Sequence, residues 1–341
     1  MPFVQAKCPE CGGMLAVDGD KSAAICQYCG NAFIVEDAVN NFITYSTTNH
    51  IYSDGTIVNI YEGKNNDFII NGGVLKKYQG ASVEVVVPNG VVELGQNCFK
   101  DLKIKSVVIS DGVKVIGDSA FNNCVDLLSV TIPASVTTIG SYVFGGCVSL
   151  SSISIPNSVT SIGRNAFGGC ESLTSITIPD SVTSIGIAAI NSCVNLRSIK
   201  LSNRLSTISN SMFLGCSNLE MIIIPDSVTV IEDEAFRRCV KLSSVVFGSG
   251  VKIIGYAAFN GCTSLASITI PGNVQKIGMS AFYGCTSLSS ITMINNRIVL
   301  GSDAFYDYWR MRGLCPRCGG KYKGLLVVKC SKCGWDKSCF V

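Results

Sequence analysis

The chain is short of the groups that most often carry chemistry, and short of charge. One histidine, His50, is present in 341 residues, and no cysteine or serine motif near the polar Asn49-His50 stretch is placed to use it. It reads as a solvated strand or turn residue. No G-x-G-x-x-G or G-x-x-x-x-G-K string is found, so the familiar phosphate-cradling loops are missing. Together these absences argue against an enzyme. Charged residues make up 15% of the chain and sum to a formal +3, which excludes a strong global pull on nucleic acid or anionic membrane. Carboxylates such as Glu232, Asp233 and Glu234 read as a surface face. No apolar run reaches the roughly 18 residues that span a bilayer. The opening MPFVQAKCPECGG has no basic start, apolar stretch or small-residue cleavage site, so a cytoplasmic chain is expected.

Apolar residues are abundant instead, at 47%, and they recur with a fixed period. Phenylalanine stands at Phe99, Phe121, Phe144, Phe167, Phe213, Phe236, Phe259, Phe282 and Phe305, with Ile190 in the remaining slot; every step after the first is 23 residues. Within one unit the pattern is Leu150, Ile153, Ile155, Pro156, Val159, Ile162, Ala166, Phe167, Cys170. Ile153 and Ile155 alternate with Ser152 and Ser154, the period of a strand with one buried face. Pro156 cannot donate to a ladder and stops it, as do Pro88, Pro133, Pro179, Pro225 and Pro271 in other units. Gly163 reads as a tight turn, and Ala166-Phe167 as a short helical or irregular segment that puts one ring into the core. A single coil cannot bury its own apolar face, so the coils must stack. Ten strands are expected, from Val85/Val87 to Ile291/Met293, with Phe68-Ile69-Ile70 and Val74-Leu75 as an amino-terminal cap.

The string L-x-x-I-x-I-P-x-x-V-x-x-I-x-x-x-A-F-x-x-C over residues 67 to 312 resembles the BspA-type leucine-rich repeats. The resemblance implies a curved solenoid with a parallel sheet on its concave side and recognition in place of catalysis. Many relatives are exported surface proteins, and the missing signal departs from them.

Eighteen cysteines in an unexported chain point to reduced thiols and metal sites before disulfides. Cys124, Cys147, Cys170, Cys193, Cys216, Cys239, Cys262 and Cys285 follow the ring slot by three residues and read as a stacked column of small buried hydrophobes. Cβ atoms pointing in parallel about 4.8 Å apart do not suit a disulfide, and a straight row cannot surround an ion. Cys98 occupies the repeat's alanine position and reads as core; Cys339 has no knuckle partner and reads as a free thiol.

Cys8-Pro-Glu-Cys11 and Cys26-Gln-Tyr-Cys29 are different in kind, forming two C-x2-C knuckles fourteen residues apart; Cys315-Pro-Arg-Cys318 and Cys330-Ser-Lys-Cys333 repeat the arrangement with eleven between. Each knuckle is followed by glycine: Gly12, Gly30, Gly319 and Gly334. Two knuckles complete a tetrahedral S4 shell, and soft thiolates in closed geometry favour Zn2+ over iron. Both ends resemble zinc ribbons, with Leu15-Ala16-Val17 and residues 324–328 as short strands and the metal structural. The expected organisation is a zinc ribbon over 1–36, a linker with short strands over 37–66, a solenoid cap over 67–93, the solenoid over 94–312 and a second ribbon over 313–341. The fold class is α/β, rich in β.

Two surfaces could meet a partner. The outward strand positions form a hydroxyl face, Ser152/Ser154 and Ser175/Thr177 for example, broken around Lys200, Met221, Ile223 and Val246, where apolar side chains of adjacent coils would meet a protein. The carboxy-terminal ribbon carries Arg317, Lys321, Lys323, Lys329, Lys332 and Lys337 against Asp336, a formal 6 − 1 = +5 that a four-thiolate zinc site lowers to about +3. Tyr322 and Trp335 beside those charges suit base stacking, so nucleic acid is the alternative partner. The expected function is a non-catalytic interaction scaffold.

Overall fold

In the computed structural model, residues 67–294, 297–312 and 314 are described in full, and the backbone alone is described for the strands Phe3–Lys7, Met14–Asp18, Ala23–Ile25, Ala32–Ile34, Thr47–Ile51, Ile57–Tyr61, Tyr322–Lys323 and Lys329–Cys330. Each 23-residue coil makes three runs. The first is the alternating strand, as in Ser129–Thr131, where Val130 points inward and Ser129 and Thr131 outward. The second is a two-residue strand, as in Thr138–Ile139, with Ile139 buried. The third carries the ring and the cysteine into the core, where Phe144 and Cys147 have no exposed surface. Both kinds of strand pair in parallel with the equivalent residues one coil away, Ser106 with Ser129 and Thr138 with Ser161. The two-residue ladder was not foreseen, because two residues are too few to display an alternation.

The ring-bearing run is also stitched to its neighbour by the backbone. Tyr142, Phe144 and Gly146 donate their N–H groups to the carbonyls of Arg164, Ala166 and Gly168, at 2.7, 2.7 and 2.8 Å. Tyr142 and Gly146 both have left-handed φ, 58° and 74°, and the same two positions are left-handed in coil after coil. Two such residues around each ring from Phe99 to Phe282 forbid a helix there, whereas Phe305 has only Asp303 before it and is followed by one. The helical component expected of an α/β chain therefore shrinks, among the described residues, to the six-residue helix Tyr306–Met311 after the last coil. Gly163 also differs from its reading as a turn residue. Its φ is not positive; a Cβ there would come within 2.5 Å of the Gly140 carbonyl carbon, so glycine is required by the close approach of the preceding coil's backbone.

Phe99, Phe121, Phe144 and Phe167 stack on one another, and Phe213, Phe236, Phe259, Phe282 and Phe305 form a second stack, with centroids 4.8–5.4 Å apart and planes within 15°. Ile190 separates the two. The column is closed at both ends. At one, the hairpin Phe68–Asn71 and Val74–Tyr78 turns through Gly72 and Gly73, both left-handed; Val74 and Leu75 pair with Glu93 and Leu94, and the Tyr78 ring lies 5.4 Å from Phe99. At the other, the helix sets the Trp309 ring edge-on to Phe305 at 5.6 Å. The first cap was expected; the second was assigned to the solenoid, since one tryptophan beside Phe305 breaks no period.

One of the ten expected strands does not form. Residues 151–156 are extended chain outside any ladder, although Ile155 remains 8% exposed and faces inward as expected. Alternation reports which side chains are buried, and it is blind to whether the backbone N–H groups reach a neighbour.

The left-handed position before the cysteine is glycine in five coils and Arg238 in another, where φ is 62° and the side chain is exposed. Arg238→Gly should therefore raise stability by about 0.5–1 kcal/mol, read as an increase in Tm, because glycine adopts that φ without the Cβ penalty. A fall in Tm would contradict the assignment.

Candidate functional site: the outer face of the repeat strands

The cysteine column is the largest set of reactive groups among the described residues, and its geometry makes it inert. Cys147 donates its thiol proton to the Phe121 carbonyl oxygen at 3.1 Å, Cys170 to that of Phe144 at 3.2 Å and Cys239 to that of Phe213 at 3.2 Å, and the rest of the column repeats the bond. Each thiol thereby satisfies a buried carbonyl of the preceding coil. Burial pushes these thiols up, to about 12 for Cys124, Cys193 and Cys285. The thiolate that would attack a disulfide or hold a metal is suppressed. All described cysteines are free, Cys98 included, and no cluster of three or more His, Cys, Asp or Glu suited to a metal occurs among the described residues.

Carboxylates read as a plain surface face turn out to peg coils together. Asp180 Oδ1 accepts from the Asn203 N–H at 2.8 Å, Asp226 Oδ1 from that of Ser249 at 2.7 Å and Asp233 Oδ1 from that of Tyr256 at 2.7 Å, each one coil on. Glu232 accepts from the Asn210 N–H at 2.8 Å, and Glu234 pairs with Arg237 at 2.7 Å. The backbone N–H bonds, followed by the side-chain bonds from the same residues, hold the Asp180 and Asp226 carboxyls below the usual carboxylate range.

The outward strand positions make the exposed face. Met221, Ile223 and Val246 are 51%, 58% and 50% exposed, Ile223 lies in register with Val246, and Lys200 is the exposed residue one coil before Ile223. The four residues expected to meet a partner are thus brought together. Two further exposed valines, Val86 and Val108, pair in register at the first coils of the same face. They lie before Ser129, where the hydroxyl pattern starts, and so escaped a reading keyed to that pattern. Beside Lys200 the absent strand at 151–156 leaves a groove of about 610 Å³, lined by Ser152, Ser154, Ser175, Thr177, Asp180 and Lys200 among others.

Of the expected metal ligands, Cys8, Cys11, Cys26, Cys29, Cys315, Cys318 and Cys333 lie outside the described residues, as do Arg317, Lys321, Lys332, Trp335, Lys337 and Cys339. Cys330 is placed by its backbone, opposite Tyr322 in an antiparallel pair that also joins Lys323 to Lys329. His50 is placed the same way, on a strand opposite Val58. No helix among the described residues is long and apolar enough to cross a membrane.

In the native chain the column thiols should resist a thiol reagent at pH 8 and react after denaturation; rapid native labelling of Cys147 or Cys239 would refute their burial. Asp180 and Asp226 have folded pKa values below the unfolded one, so their stabilisation is complete above about pH 5 and is lost as pH falls through the unfolded and then the folded values. The double variant Asp180→Asn with Asp226→Asn should lose less Tm than the parent between about pH 5 and pH 2. Parallel curves would mean that these carboxylates contribute nothing.

The model of the BspA-type leucine-rich repeat region matches six times, over residues 78–196, 137–266 and 206–312. Among solved structures, a leucine-rich repeat protein from Bacteroides ovatus is 31% identical with a TM-score of 0.64, the match covering 77% of this chain and 67% of that one. The leucine-rich repeat protein of T. pallidum is 25% identical over 64% of this chain and 87% of its own, with a TM-score of 0.44. No match is found among curated proteins. Period, parallel ladders and repeated match agree, and the chain belongs to the BspA-type leucine-rich repeat family.

Proposed function

We propose that the chain is a non-catalytic scaffold that captures a protein on the outer face of its repeat strands, around Lys200, Met221, Ile223 and Val246. Leucine-rich repeat proteins generally bind proteins, and the observation that carries the reading here is local. From Ser129 onward the outward positions are hydroxyls except at Lys200 and at three apolar side chains about half exposed, Met221, Ile223 and Val246, which stand on two adjacent coils. A contiguous exposed apolar patch loses free energy to water until something covers it. In pull-downs from the native cell, the double variant Met221→Ser with Ile223→Ser should lose the partner while keeping its Tm. Retained recovery would reject the patch.

Structural Zn2+ at both ends completes the reading. Its support is the pattern of four C-x2-C pairs, together with the paired strands beside them. Phe3–Lys7 pairs antiparallel with Met14–Asp18 on either side of the first pair, and Ala23–Ile25 with Ala32–Ile34 on either side of the second. Cys8, Cys11, Cys26 and Cys29 would hold one ion, and Cys315, Cys318, Cys330 and Cys333 the other. The metal supplies folding energy to modules too small for a core of their own. Elemental analysis of the purified chain should find two zinc ions per molecule and no iron. One or none would remove the ribbon at one end or both.

A second reading rests on the basic excess between Arg317 and Lys337 beside Tyr322 and Trp335, which suits contact with nucleic acid. A salt-dependent shift of a labelled oligonucleotide by the full chain, lost when Lys321, Lys323 and Lys329 are changed to glutamine, would favour it over the scaffold alone.

A further inference from the structure

The groove beside Lys200 and the apolar positions beyond it lie along one column of outward side chains. The inward residue of the strand is 7% exposed at Val130 and 3% at Ile176, whereas Ile153, between them, is only partly buried. The ladder is also interrupted between Ser198–Lys200 and Met221–Ile223 and between Ser244–Val246 and Ser267–Ile270, but 151–156 is the one stretch that pairs on neither side, and the 610 Å³ groove lies there. Exposed hydroxyls of Ser152, Ser154, Ser175 and Thr177 line it, alternating with apolar side chains such as Ile153 and Ile155. Lys200 stands at its edge, in register with Thr177. Across the outward positions of the strand segments from 84 to 292, only Glu84 and Lys200 are charged. Lys200 is in no ion pair among the described residues. Asp180, the one carboxylate lining the groove, is already engaged by the backbone N–H and the Nδ2 of Asn203, at 2.8 and 3.3 Å. The column then continues through Ile223 and Val246.

Resting on the docking reading above, we infer that the partner presents an extended segment with an acidic side chain over Lys200 and an apolar side chain two residues away over Ile223 and Val246. Ile223 and Val246 are paired in register, about 4.8 Å apart, on the coils that follow Lys200, and two residues of extended chain span about 6.7 Å, so a side chain two positions from the acid reaches that pair. The hydroxyls of the groove are free to meet the peptide groups of the segment, which need partners when water is displaced. The acid is a side chain and not a chain end, because the apolar positions run on past Lys200 and the bound segment must run on with them. A cation with no other charge at the outward positions of the neighbouring coils selects its partner by what it repels as well as by what it attracts.

Capped, labelled peptides with Glu-Ser-Leu at their centre, in both chain directions, test this on the full protein. The Glu peptide in one direction should bind at least about tenfold more tightly than its Glu→Lys counterpart, and less tightly as salt rises. Lys200→Glu, an exposed change that should leave Tm unaltered, should reverse the preference, and Leu→Ser in the peptide should weaken binding. Equal binding of the Glu and Lys peptides, or no binding of either up to about 1 mM, overturns the proposal. The outcome also separates it from the broader reading. If Met221→Ser with Ile223→Ser loses the native partner while the charge series is flat, docking stands and the acidic segment falls; if that variant is silent too, both fall.

Discussion

Coil-on-coil stacking is the constraint from which the rest of this molecule follows. One turn of 23 residues has a row of apolar side chains and nothing of its own to cover them, so burial exists only between turns. The phenylalanine column supplies the apolar area and the run around each ring supplies the backbone bonds, as where Phe144 donates to Ala166 while its ring stacks on Phe121 and Phe167. The thiol bonds from the cysteines to the carbonyls of the preceding coil and the carboxylate pegs at Asp180, Asp226 and Asp233 work across the same step. Since every one of these contacts spans about one repeat, an unclosed end would leave a ring face and a row of carbonyls in water. Tyr78 and Trp309 close those ends.

What could be read in the sequence was whatever the repeat states many times. The phenylalanine and cysteine slots, the inward isoleucines, the amino-terminal cap and the exposed positions Lys200, Met221, Ile223 and Val246 all follow from the period and from alternation within it. What escaped was set by backbone geometry or by a single occurrence. Of the two left-handed positions that rule out a helix, that of Tyr142 is filled by Ser, Asn, Ala, Glu and Asp in other coils and offers no signal, whereas that of Gly146 is glycine in five coils and could have been read from the sequence. Gly163 was assigned to a turn because glycine most often is, whereas the neighbouring backbone is what requires it. The unit from Leu150 to Cys170 has a regular strand pattern, and its strand nevertheless leaves the ladder. Its side chains obey the repeat, and its peptide groups do not.

That departure gives a uniform scaffold a place where it is not uniform. Most of the strand face repeats Ser and Thr, which water already satisfies and which gain little from a partner. Specificity needs positions that differ from their neighbours: an opening in the sheet, one cation, and apolar side chains that continue the same column. All three fall within the coils from Ser152 to Val246. The coils on either side stack against that stretch and hold it in place, the role a repeat array plays when only part of it is in contact.

Residue-resolved amide hydrogen exchange on the native chain addresses the stacking claim most directly. The account predicts that the N–H groups of Phe121, Phe144, Phe213 and Phe259, each bonded to the next coil, exchange only as the whole solenoid unfolds, while those of Ser152 and Ser154 exchange many times faster. Exchange of the phenylalanine amides at the rate of the open 151–156 segment would show that the coils are not held together as described.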